Sequence, residues 1–73
     1  LMSTATLIVI PGPGARTVEL LPNMTIENLV VQESLHGRDI IVNGTGIQAN
    51  AYATTLLVAN TEVFATGSVK GNV

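Results

Sequence analysis

The side chains able to do chemistry are few and far apart. His36 is the only group whose ordinary pKa lies near neutrality. General-base work would need a nucleophile or an orienting partner beside it. Ser34 is near in sequence, but two residues apart on a helix point to different sides. His36 followed by Gly37 therefore reads as a helix-end signal, with Gly37 at the left-handed stop position. Glu19 and Glu62 would form an acid–base pair only if their strands were neighbours, and no spacing requires that. Asp39 directly follows Arg38, which reads as a surface pair worth little. Pro11-Gly12-Pro13-Gly14 has the glycines of a phosphate-cradling loop, but that chemistry needs a helix immediately after it. The next stretch, Arg16-Thr17-Val18-Glu19-Leu20, alternates as a strand does, so the loop reads as a hairpin turn. There is no cysteine, hence no disulfide and no thiolate metal site, and a lone histidine argues against zinc. No catalytic, metal or cofactor-binding residue is assigned, and the chain is expected not to be an enzyme.

The elements that would carry these residues are set by composition and pattern. The 73 residues make one domain. A fold this small buries only roughly 60% of its unfolded surface. Nine Val, six Ile and nine Thr favour a sheet, because branching at Cβ crowds a helix. Met2 reads as a native start, so residues 1–4 are expected to be a disordered start with Leu1 an expression remnant, and residues 5–73 the domain.

Ala5-Thr6-Leu7-Ile8-Val9-Ile10 reads as a strand, apolar on both faces over its second half, which suits a central position. Leu21-Pro22-Asn23-Met24 breaks the second strand. Thr25 then caps a helix over 26–35, with Glu27 in its first turn and Ile26, Leu29, Val30 and Leu35 on its apolar face. Arg38-Asp39-Ile40-Ile41-Val42 is a third strand, and Asn43-Gly44 is a strong hairpin signal into Thr45-Gly46-Ile47. Gln48–Tyr52 is expected to be a loop, and Ala53–Val58 a short strand or one helical turn. Glu62–Thr66 is the last strand, running into a glycine-punctuated tail. Alternation sets Phe64 opposite Val63 and Ala65, so either it or they fill the core. Its size favours Phe64 on the helix side. Tyr52 reads equally as an exposed contact or as a lid on the core. The triplets at Asn23 and Asn43 that match a glycosylation pattern read as turn and cap chemistry.

Four stretches resemble the β-grasp, or ubiquitin-like, family, and within it the molybdopterin-synthase small subunit and the thiamine-biosynthesis sulfur carrier. They are Leu21–Leu29, a Pro-containing turn before a Thr-capped helix; Ile40–Gly44, a strand with its Asn-Gly turn; Ala53–Leu56, the connection before the last strand; and Glu62–Phe64, its opening. The resemblance implies an α+β fold: a mixed sheet of four or five strands with one crossing helix, the first and last strands parallel at the centre. A sulfur carrier ends in Gly-Gly, whose carboxylate is adenylated and converted to a thiocarboxylate. Here the tail is Lys70-Gly71-Asn72-Val73, which keeps one glycine and, if Val73 is the natural terminus, is expected to block that chemistry. The acidic turn usual before the last strand is replaced by Ala59-Asn60-Thr61.

Charge decides what remains. Only 11% of residues are charged, against about 25% in an ordinary soluble domain. Three scattered cations cannot neutralise a run of phosphates, and two aromatics make no base-stacking platform, so nucleic acid is not an expected partner. No apolar run reaches the roughly 20 residues that span a bilayer, and none resembles a signal peptide, so no membrane and no secretion are expected. Interface cores are depleted of charge in this way. The expected function is a protein–protein interaction or assembly module, binding a protein partner or itself, in the cytoplasm or as a small virion decoration-like protein. Its candidate contact residues are Tyr52, Phe64, Val69, Lys70 and Gly71. The alternative is a sulfur-carrier-like or ubiquitin-like modifier with a degenerate or unprocessed tail.

Overall fold

A computed structural model describes residues 3–67. The elements run β1 (Ser3–Ile10), β2 (Gly14–Leu20), α1 (Ile26–Gln32), β3 (Asp39–Val42), β4 (Thr45–Ile47), a 3-10 helix η1 (Ala49–Thr54), and β5 (Glu62–Thr66). They form one five-stranded mixed sheet in the order β2-β1-β5-β3-β4, an α+β arrangement. β1 pairs with β2 antiparallel and with β5 in parallel, so the first and last strands sit side by side inside the sheet. β3 joins the other flank of β5 antiparallel, and β4 returns as an edge.

β1 begins at Ser3, so Ser3 and Thr4 belong to the sheet rather than to a disordered start; Leu1 and Met2 lie outside the described residues. The Pro11-Gly12-Pro13 stretch is a hairpin connection, as its missing donors require. Gly67 closes the far end of the β1–β5 ladder by donating to the Ile10 carbonyl at 2.6 Å. A Cβ at Gly67 would run into the Pro11 ring, so only glycine fits this crossing. Asn43 has φ of 48° in the β3–β4 turn, and its side-chain oxygen accepts from the Glu62 amide at 3.1 Å. The turn therefore also anchors the start of β5.

One sheet face and one side of the helix make the core. Alternate residues Ala5, Leu7 and Val9 of β1 point into it, as do Val63 and Ala65 of β5. Ile26, Leu29 and Val30 descend from the helix. Burying a Leu, Ile or Val side chain stabilises by roughly 1.5–3 kcal/mol, so this cluster supplies the main drive to fold.

The helix is seven residues long and cannot persist alone. Its ends are therefore built with care. Thr25 Oγ1 accepts from the Asn28 amide at 3.2 Å, while Asn28 Oδ1 accepts from the Thr25 amide at 3.0 Å. This is a reciprocal capping box with Asn in the place usually held by Glu or Gln. The C-terminus corrects the expected span of 26–35. The helix ends at Gln32 because Ser34, three residues before Gly37, already takes the left-handed conformation, with φ of 59°. The Leu35 amide then bonds the Val30 carbonyl at 2.8 Å, and the Ser34 amide reaches Val31 at 3.4 Å. That pair of bonds is a Schellman closure, and it carries Leu35 into the core beside Val30. Gly37 has positive φ too, but it serves the later turn into β3.

Two further expectations are corrected. Residues 48–52 are mostly helical, because η1 starts at Ala49. Ala53–Val58 is not one element: Ala53 and Thr54 finish η1, Leu56 makes one isolated bridge to Thr25, and Leu57 donates to the Met24 carbonyl at 2.8 Å. Short local pattern favoured either reading, and these tertiary bonds to the helix entrance decided it.

A serine in the left-handed region carries a backbone cost that glycine lacks. Ser34→Gly is expected to raise unfolding free energy by roughly 0.5–1 kcal/mol, and Thr25→Ala to lower it by about 1 kcal/mol. Urea denaturation of the three proteins measures both.

Candidate functional site

The residues singled out for chemistry do not converge. His36 and Ser34 are both exposed around the helix exit. Glu19 and Glu62 do share a sheet face, but β1 lies between their strands: Glu19 faces Thr4 and Glu62 faces Thr6. Among the described residues no group of three His, Cys, Asp or Glu is placed to hold a metal ion. No helix among them is long and apolar enough to cross a membrane. Of the five candidate contact residues, Val69, Lys70 and Gly71 lie outside the described residues. Tyr52 and Phe64 lie on opposite sides of the sheet.

Tyr52 sits on η1, half-buried, with one side packed against the core. It borders an open cleft of about 430 Å³ with Arg38, Asp39, Gly46 and Gln48. Burial pushes the Tyr52 phenol above its ordinary value, the Asp39 carboxylate adds to this, and a backbone hydrogen bond at Ile40 opposes both. A phenol shifted upward stays protonated at neutral pH, so it is no general base. Arg38 is half-buried beside it, and its Nη1 atom is buried without a hydrogen-bond partner. The cleft therefore sets one cation against the adjacent Asp39 carboxylate, with no nucleophile aimed at the space.

Phe64 corrects the expected core. Val63 and Ala65 are fully buried under the helix, and Phe64 is half-buried on the opposite face, over which no described element packs. The register explains the reversal. Parallel pairing sets Leu7 beside Val63 and Ile8 beside Phe64, so the helix-side run of β1 selects Val63. The same register builds a transverse row on the open face: Ala15 of β2, Ile8 of β1, Phe64 of β5, Ile41 of β3 and Gly46 of β4. No member is charged or polar. Four strand spacings make the row about 19 Å wide. Ile10, the next outward position on β1, is 53% exposed and extends the apolar area along the strand.

An uncovered sheet face ordinarily alternates to polar residues. Here three adjacent inner strands put Ile, Phe and Ile there instead. Reading residues singly found Phe64 and missed Ile8, Ile10 and Ile41. The available signal was the two-sided apolar character of Ala5–Ile10 and of Ile40–Val42, which marks strands with no fully polar side.

Charge is divided between the two faces. Glu19 and Glu62 occupy positions whose register places them on the open face, while Asp39, at the start of β3, lines the cleft with Tyr52. Arg16, opposite Leu7, lies on the helix face and pairs with Glu33 at the helix C-terminus. Gln32 Nε2 also donates to Glu33, at 2.9 Å. Arg38 lies beside η1 on that same side.

The raised Tyr52 pKa has a stability consequence. The unfolded phenol ionises near 10 and the folded one higher, so the folded state resists ionisation. The contribution is fully present below pH 10 and is lost as pH rises through the folded value. Melting temperatures measured from pH 9 upward should fall more steeply for the wild type than for Tyr52→Phe.

Compared with protein-family models, with curated proteins and with solved structures, the chain has no match.

Proposed function

We propose that this domain is a non-enzymatic protein-contact module that docks through the open face of its sheet. The observation that carries the reading is the uncharged row Ala15-Ile8-Phe64-Ile41-Gly46 across all five strands. Contiguous apolar surface on a small domain marks an interaction site more often than a neutral decoration. The row also meets the demand for a flat contact, since a packed sheet face can take another sheet or a helix about 10 Å away. The β4 edge contributes less, since it is only three residues long and short edges add few ladder bonds.

The β-grasp resemblance is part of the proposal. The parallel β1–β5 pair inside the sheet, with one helix across one face, supports it. Within that fold the module would serve assembly, such as in a virion or a larger complex. The modifier alternative rests on Lys70-Gly71-Asn72-Val73, which lie outside the described residues, and no observation on residues 3–67 favours it.

The test is site-directed photo-crosslinking in the cells or particles from which the chain comes. A photoreactive residue at Thr66, on the open face, is expected to give one dominant protein adduct, and one at Gln32, on the helix, little or none. Phe64→Thr should abolish the Thr66 adduct while costing about 1 kcal/mol of stability or less, because threonine keeps the strand propensity. Val63→Ala, one position away, should cost roughly 2 kcal/mol by opening the core. Equal adducts from both faces, or an adduct indifferent to Phe64→Thr, would overturn the reading.

A further inference from the structure

The open face has an electrostatic character that narrows what can cover it. Its apolar row is bordered by Glu62, two register positions from Phe64 along β5, and by Glu19 beyond it on β2. Strand spacing and rise put these two about 12 Å apart, across β1. Both are exposed. Both arginines among the described residues lie on the helix side, where Arg16 is paired with Glu33. Among the described residues the open face thus joins an apolar centre to a border carrying the carboxylates of Glu19 and Glu62.

We infer that the occupant of this face is a foreign protein surface with an apolar ridge flanked by Lys or Arg, and not a second copy of this chain. The inference rests on the docking-face reading and adds the partner's chemistry to it. Two copies stacked face to face would bring carboxylate borders together around a dry centre, and like charges in such a setting oppose association. Stacking the open face on a neighbour's helix face gains little more. That side offers Arg16 and Arg38, but it also carries Glu27 and Glu33, so its described charges cancel. A basic-flanked ridge satisfies both parts at once. Its apolar residues cover Ile8, Phe64 and Ile41, and its cations meet Glu19 and Glu62 at the solvent-exposed border. There they guide encounter and register more than they add affinity.

Two synthetic amphipathic helices of about 18 residues supply the probe. Both carry one leucine stripe; one is flanked by Lys and the other by Glu. Each is titrated into the isotopically labelled domain, with amide shifts read by NMR. The Lys-flanked helix is expected to move the signals of Ile8, Ile41 and Phe64 and to bind about tenfold tighter than the Glu-flanked one, the sum of two or three exposed charge contacts. The ratio should shrink towards one in about 0.5 M salt, where screening acts within roughly 4 Å. Glu19→Gln/Glu62→Gln should shrink it in low salt as well, while Phe64→Thr should weaken both helices. Equal affinity of the two helices for the row would overturn the basic partner and leave the docking face standing. Shifts confined to the helix side, or none at the row, would overturn both. Concentration-dependent shifts of the row without any peptide would make a second copy the occupant and overturn the inference.

Discussion

The register between β1 and β5 is the constraint on which the rest of the molecule depends. Five consecutive parallel pairs, from Thr6 with Glu62 to Ile10 with Thr66, fix which side of each inner strand meets the helix. Leu7 and Val9 then share the core with Val63 and Ala65. Ile8 and Phe64 are left together on the other side. β3 inherits this arrangement through its own pairing, which places Ile40 inward beside Ala65 and Ile41 outward beside Phe64. A slip of one residue would exchange the two faces of β5 and send Phe64 under a helix whose contacts are already filled. The contact surface and the core are two consequences of one ladder.

The helix depends on the same ladder from the other direction. Seven residues hold only because the sheet receives Ile26, Leu29 and Val30, and because both ends are closed locally. Thr25 and Asn28 close the entrance, while Ser34 and Leu35 close the exit. Arg16 reaches from β2 to Glu33, where a carboxylate alone would face the negative end of the helix dipole. Arg16 and Glu33 on this side are therefore tied into the fold. Glu19 and Glu62 stand at the border of the open side.

Much of the architecture was readable from local chemistry. Thr25 before an apolar-periodic run marked the helix start, Asn43-Gly44 marked the β3–β4 turn, and the two-sided apolar run of Ala5–Ile10 marked an inner strand. The helix exit was not readable. Nothing in its residue type announces that Ser34 will adopt positive φ, and Gly37 offered a stronger signal three residues later. Phe64 was not readable either. Alternation tells which residues share a face, but the choice of face belongs to the partner strand, and volume alone pointed the wrong way. The contact row was hidden for a related reason: Ala15, Ile8, Phe64, Ile41 and Gly46 are scattered over the chain and meet only through separate strand pairings.

Relaxation of proton signals by a soluble, neutral paramagnetic agent tests that register most directly. It should broaden the Phe64 ring and the Ile8 and Ile41 methyls strongly, leave the Val63 and Leu7 methyls sharp, and accompany cross-strand contacts from Ile8 to Phe64 and from Phe64 to Ile41. A sharp Phe64 ring with broadened Val63 methyls would place Phe64 in the core and contradict the account.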